Sequence, residues 1–139
     1  MANTEDRNTR ITREFRENGG EVGGPFQNAT VILLHTTGAR TGQERIAPLV
    51  AQPLDGGRHA IFASHGGAPA HPDWYYNLRA NPHVTYEVGT RTVRATARVA
   101  KGEERERIWS KQKLDRPNFA EYEKKTTRQI PVVVLEPEP

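Results

Sequence analysis

Apolar residues are sparse up to residue 28 and then arrive in short, dense runs. Ala-Thr-Val-Ile-Leu-Leu-His-Thr at 29–36 is continuous and rich in β-branched residues, which predicts a buried strand. A second strand is predicted over 44–54 and a third over 58–64, separated by Asp-Gly-Gly at 55–57, a hairpin turn signal. Short connections between three successive strands predict an antiparallel meander. Pro72 suits the first turn of a helix running to Ala80 and stopping at Asn-Pro, with Trp74, Leu78 and Tyr75 at helical spacing. A hairpin follows, 83–88 and 91–99 joined across Gly-Thr. Residues 103–114 read as a charged amphipathic helix with Ile108, Trp109 and Leu114 turned inward, and 117–125 as a shorter helix. A closing strand is predicted at 130–135.

Strands do not alternate with crossover helices, which argues against a Rossmann sheet. The order points to a mainly β (α+β) fold, a small antiparallel barrel of about six strands with short flanking helices. Residues 29–139 form that predicted domain. Residues 1–28 are polar, with at most a short helix over 12–18 broken by Gly-Gly-Glu-Val-Gly-Gly, and are expected to be a mobile arm. Ile11 and Phe15 alone are too small an apolar face for a membrane-surface helix.

The 139 residues are enough for one core. No apolar run approaches the roughly 20 residues that cross a bilayer, and the first residues lack a secretory pattern; a cytoplasmic protein is expected. The absence of cysteine excludes disulfides, thiolate metal sites and a Cys nucleophile. A formal net charge of +3 and a pI near 9.4 suggest an anionic partner: nucleic acid, lipid headgroups or a phosphorylated small molecule. Arginines are spread along the chain without interleaved aromatics, which argues against nucleic acid.

Three segments could carry chemistry. In Thr36-Thr37-Gly38-Ala39-Arg40-Thr41-Gly42-Gln43-Glu44-Arg45, two glycines permit a tight turn whose N–H groups can face anionic oxygens, and Arg40 and Arg45 add charged donors. An ordinary Gly-rich hairpin with solvated arginines explains the same residues equally well. In Ala63-Ser64-His65-Gly66-Gly67, Ser64 could bond a ring carbonyl or phosphate; taken alone, a strand-to-helix connection explains it better. In His71-Pro72-Asp73-Trp74-Tyr75-Tyr76-Asn77, a helix start suits an anion and the aromatics could wall a flat ring, although Trp74 serves equally well as core. If strands two and three pair, Ser64 and Arg45 share one rim of the sheet. No metal-ligand spacing or nucleophile elbow is present.

Four strings in order resemble the deazaflavin (F420)-dependent nitroreductase family of split β-barrel oxidoreductases. They are Thr-Thr-Gly-Ala-Arg-Thr-Gly-Gln-Glu-Arg-Ile-Ala-Pro-Leu, Asp-Gly-Gly-Arg followed by Ala-Ser-His-Gly-Gly, His-Pro-Asp-Trp-Tyr-Tyr-Asn-Leu-Arg-Ala-Asn-Pro, and Arg-Gln-Ile-Pro-Val-Val-Val-Leu-Glu-Pro. The resemblance spans about 29–137. It implies a split barrel of the FMN-binding type and coenzyme F420, a deazaflavin with a phosphate and an oligoglutamate tail. The implied activity is hydride transfer from the reduced cofactor to a small-molecule acceptor: a quinone, enone or nitro compound. Carried over by position, Ala39, Arg40 and Thr41 lie along the phosphate or tail, and Arg45, Ile46, Ala47, Pro48 and Leu49 beside the phosphate and deazaflavin. Phe62, Ala63, Ser64 and His65 face the ring system. Asp73, Trp74, Tyr75, Tyr76 and Asn77 bring the helix start to the cofactor, and Val50 and Phe119 complete the set. Tyr122 is the candidate for lining the acceptor pocket or delivering a proton. Arg40 and His65 stand at lysine positions of a relative. Val50, Phe119 and Arg116 stand where a nitroreductase relative has tyrosines near its substrate, which bears on the acceptor. An FMN-using split-barrel reductase and a non-catalytic deazaflavin carrier remain open alternatives. The implied protein is a monomer or homodimer, peripheral to the membrane if its acceptor is a quinone.

Overall fold

A computed structural model describes residues 6–139. In chain order the elements are α1 (Arg7–Glu17), β1 (Thr30–Thr37), β2 (Glu44–Pro53), β3 (His59–Phe62), α2 (Asp73–Ala80), β4 (His83–Val88), β5 (Arg91–Val99), α3 (Gly102–Asp115), α4 (Asn118–Lys125) and β6 (Val132–Pro137). The strands close into an antiparallel barrel in the order β1-β2-β3-β6-β5-β4. The meander and the hairpin are as the sequence predicts. The place of β6, between β3 and β5, comes from long-range pairing: Ile61 lies opposite Val133 and Ala97 opposite Leu135.

Strand alternation explains the core. Ile32, Leu34, Ile61, Val133 and Leu135 point into the barrel, with Trp74, Tyr75 and Leu78 of α2 closing one end. The opposite faces are also buried. Val31 and Leu33 of β1 pack under Ile11, Phe15 and Val22. Val132 and Val134 of β6, with Ala60 and Phe62 of β3, pack under Ile108, Trp109 and Phe119. A strand covered on both faces must read as a continuous apolar run, which is why 29–36 lacks alternation.

This packing corrects the expectation of a mobile arm. The polar segment carries an 11-residue helix whose Ile11 and Phe15 are 6% and 1% exposed. Asp6 caps it by accepting the Thr9 N–H at 2.7 Å. Arg16 then donates to both carboxylate oxygens of Glu87 on β4, at 3.1 and 2.7 Å. Two apolar residues at i and i+4 suffice because β1 supplies the other half of the contact. Residues 1–5 of the expected arm lie outside the described residues.

Leu114, expected inward, is 81% exposed. The buried stripe of α3 is Arg105, Ile108, Trp109 and Gln112. At 3.6 residues per turn Leu114 falls on roughly the opposite face. The third strand is also shorter than expected, ending at Phe62, and the chain turns at once into the loop that carries Ser64.

Pairing between β2 and β3 covers only Ala51–Ile61, Gln52–Ala60 and Pro53–His59. Residues 44–50 of β2 therefore have β1 as their one strand partner. Pro48 sits on this free edge, where its missing N–H costs no ladder bond. The barrel is thus split beside β2, and the split positions the site.

Candidate cofactor cleft

A cleft of ≈ 1200 Å³ runs along the free edge of β2. Ile46 packs into the cluster beneath α1, and Val50 into the cluster beneath α3 and α4. The gap between those two helical covers leaves Pro48 facing the cleft.

One end of the cleft is the turn at 38–43. It is tightly built. The Gly38 N–H donates to the Gln43 carbonyl at 2.7 Å, and the Gly42 N–H to the Gly38 carbonyl at 2.9 Å. Gly42 adopts φ +72°, where a side chain would be strained. A buried amide locks the turn to α2: Asn77 Oδ1 accepts the Ala39 N–H at 2.9 Å, while its Nδ2 donates to Thr36 Oγ1 at 3.2 Å. Arg40 and Arg45 both border the cleft, and neither forms an ion pair or a side-chain hydrogen bond among the described residues. A rigid turn presenting two uncompensated guanidinium groups suits a polyanion.

The middle of the cleft is walled by Ser64, His65 and Gly66 from the loop after β3, and by Asp73, Trp74, Tyr76 and Asn77 from the start of α2. The two segments come together through Arg128, which lies outside the cleft. Its guanidinium donates to the carbonyls of Ala63, Ser64 and Ala68 at 3.1, 2.9 and 3.0 Å, and to His71 Nδ1 at 2.9 Å. Accepting that bond leaves the His71 imidazole neutral, and its pKa is lowered, first by burial and then by the charges of Arg128 and Arg79. The loop also needs glycine at Gly67. There φ is +84°, and a Cβ would meet the Tyr122 carbonyl oxygen at 2.9 Å.

The far end is aromatic and again cationic. Phe62 packs on Phe119 with centroids 5.7 Å apart, and Phe119 on Tyr122 at 5.3 Å. Asn118 Nδ2 donates to the Tyr122 hydroxyl at 3.1 Å. Arg116 reaches across to the Pro25 carbonyl at 3.3 Å, and the Arg7 guanidinium lies 5.5 Å from the Phe26 ring centre.

Set against the sequence, Ala39, Arg40, Thr41 and Arg45 through Val50 line this one cleft, as do Phe62, Ser64, His65, Asp73, Trp74, Tyr76, Asn77, Phe119 and Tyr122. Ala63 and Tyr75 do not. Ala63 is 0% exposed and belongs to the barrel interior. Tyr75 belongs to the barrel core and lies against His71, the rings tilted by 47° with centroids 4.6 Å apart. Trp74 serves both readings, packed in the core and bordering the cleft. Arg7, Asn8, Pro25 and Phe26 were not anticipated, because they lie in the segment read as an arm. Arg128 opens the fourth string of the resemblance but carries no local sign of its role, since one arginine near a strand reads as surface.

A six-stranded antiparallel barrel with a long cleft beside β2 and a cationic turn at one end defines the split-barrel fold class. Within that class, the chain belongs to the F420H(2)-dependent quinone reductase family, whose sequence profile matches residues 8–137. It is 38% identical over 125 residues to the F420H(2)-dependent quinone reductase Rv1261c of Mycobacterium tuberculosis, covering 87% of this chain and 83% of that protein. The solved structure of an F420-H2 dependent reductase, FDR-A, superposes with a TM-score of 0.70 at 42% identity, covering 77% of this chain and 94% of that one. A second solved chain, described as a domain-swapped dimer, gives 0.72 at 37% identity, with 91% and 94% coverage.

Proposed function

We propose that this protein is an F420H2-dependent reductase that passes a hydride to a quinone-type or similarly electron-poor acceptor. The observation that carries the reading is the pair Arg40 and Arg45, held without counter-ions among the described residues at one end of a cleft whose middle and far parts are aromatic. A phosphate with a carboxylate-rich tail matches the first feature, and a flat tricyclic ring the second. The volume of ≈ 1200 Å³ leaves room for an acceptor beside such a cofactor.

When bound, the reduced deazaflavin supplies the hydride. The residues of this chain supply binding, orientation and exclusion of water. Ala39, Arg40, Thr41 and Arg45 hold the anionic end. Ile46 through Val50, Phe62, Ser64 and His65 bound the ring, with Asp73, Trp74, Tyr76 and Asn77 closing the side formed by the helix. Tyr122, whose hydroxyl is kept in place by Asn118, is the candidate proton donor beside the acceptor. Orientation of two reactants in a dry cleft is the main contribution required of the protein.

The test is a fluorescence titration with oxidised F420, followed by turnover of a quinone with the reduced form. Saturable binding at micromolar cofactor with quinone reduction is expected. Absence of binding overturns the reading. Turnover with FMN alone points to a flavin enzyme, and tight F420 binding without reduction of any quinone, enone or nitroaromatic points to a carrier. The domain-swapped relative makes sedimentation the measurement that separates monomer from homodimer. No helix among the described residues is long and apolar enough to cross a membrane, so flotation with quinone-bearing vesicles tests peripheral association.

A further inference from the structure

The cleft has a second cationic end. Among the described residues, four arginines border it (Arg7, Arg40, Arg45 and Arg116) against one carboxylate, Asp73. The two pairs belong to different segments of the fold. Along β1 and β2 the register runs from Thr37–Glu44, next to the 38–43 turn, to Thr30–Ala51. Seven residue steps at about 3.3 Å place those ends roughly 23 Å apart. Pro25 and Phe26 belong to the Thr30 end, since the Ala29 N–H donates to the Phe26 carbonyl at 3.0 Å. Arg116 is fastened to Pro25 and Arg7 lies over Phe26, so both belong to that end as well.

Neither Arg7 nor Arg116 forms an ion pair among the described residues. The acids near them in sequence are engaged elsewhere: Asp6 caps α1 through the Thr9 N–H, and Asp115 pairs with Lys111. Arg40 and Arg45 stand in and beside the 38–43 turn, whereas Arg7 and Arg116 are held to Phe26 and Pro25, so the two pairs are separate groups of charge along the cleft. The same cleft is walled by the apolar and aromatic side chains of Val50, Phe62, Phe119 and Tyr122, which pack in one cluster. A flat acceptor seated against them would carry a substituent toward the two guanidinium groups.

We infer that Arg7 and Arg116 form an acid-recognition subsite, and that the preferred acceptor is an electron-poor ring bearing an anionic group such as a carboxylate, sulfonate or ionised hydroxyl. Arg116 makes the direct contact through its free guanidinium edge, the other being held by Pro25. Arg7 adds charge from the opposite wall. The N-terminal helix thereby takes part in acceptor choice. The inference rests on the reductase reading above and deepens it.

The experiment compares 1,4-naphthoquinone-2-sulfonate with 1,4-naphthoquinone as acceptors for the F420H2-loaded protein. The two quinones differ in intrinsic reactivity, so the quantity read is the ratio of their kcat/KM values, compared between wild type and Arg116→Gln. That ratio should fall at least tenfold in Arg116→Gln and further in Arg7→Gln/Arg116→Gln, and Arg116→Lys should recover most of it. In the unmodified protein, raising salt from about 20 to about 300 mM should shrink the ratio, because exposed ion pairs are screened; this arm needs no variant to fold. A ratio that moves less than twofold in both arms overturns the inference. So does a tenfold loss of F420 affinity in Arg116→Gln with the ratio unchanged, which would assign the arginines to the cofactor tail. Failure of wild type to bind F420 or to reduce either quinone would instead overturn the underlying reading.

Discussion

Arg128 Nη1 stands 2.9 Å from His71 Nδ1, joining the segment before β6 to the entry of α2 across 57 residues of sequence. The same guanidinium satisfies three backbone carbonyls of the loop between β3 and α2. One side chain outside the cleft thus sets the position of one of its walls. Arg128→Ala should lose about 2–3 kcal/mol, charged hydrogen bonds to part-buried carbonyls being the larger kind. The melting temperature should fall by roughly 6–10 °C, and F420 affinity should drop with it. Arg128→Lys should recover little, because an ammonium cannot span the carbonyl fork. Calorimetry and cofactor titration check both halves.

Arg45 lacks a counter-ion among the described residues, so replacing it disturbs no ion pair of the protein. Arg45→Ala should weaken F420 binding by about 1.5–3 kcal/mol, the value of a charged hydrogen bond, with a much smaller change in melting temperature. Unchanged affinity would show that the phosphate or tail lies elsewhere. Asn77→Ala makes the contrasting case. It releases the Ala39 N–H and Thr36 Oγ1 together, so affinity and thermal stability should fall in the same variant.

The His59 imidazole is buried in the barrel against the Tyr86 hydroxyl, at 2.9 Å. Burial, and secondarily the charge of Arg91, push its pKa below the ordinary 6.5. The folded state therefore binds a proton less readily than the unfolded chain. Stability is full above about pH 6.5 and falls as pH drops from there toward the lowered folded value. Urea midpoints measured from about pH 7.5 to about pH 5.5 should decline. His59→Gln should flatten part of that slope, although His71, shifted in the same direction, retains the rest.

Gly67 faces the chain of α4 with no room for a side chain. A methyl there would press on the Tyr122 carbonyl and Lys125 Cβ, both at 2.9 Å, in a backbone conformation that L residues avoid. Gly67→Ala should destabilise by about 1–3 kcal/mol and displace Tyr122. Turnover should then suffer more than F420 affinity, which fluorescence titration and steady-state rates separate.

Much of this protein is legible in the order of its residues. The strand runs, the turns at 38–43 and 55–57, the Pro72 helix start and the hairpin at 89–90 are signals with a period of two or 3.6, or with a local turn chemistry, and they need no distant partner to be read. The cationic turn that carries Arg40 and Arg45 was legible to the same extent, with anion binding as one of two readings of a glycine-rich turn. Contacts between distant segments decided the rest. Ile11 and Phe15 are too few to mark a packed helix until β1 offers its outer face. Leu114 looked inward by composition and faces solvent because Gln112, not Leu114, lies on the stripe toward β6. A guanidinium has the same sequence signature whether it is solvated, as at Arg40, fastened to carbonyls, as at Arg128, or waiting across a cleft, as at Arg116. Hydrophobic periodicity is a property of one segment. The worth of a charge depends on which groups the folded chain brings within reach of it, and in this protein those groups come from the opposite ends of the sequence.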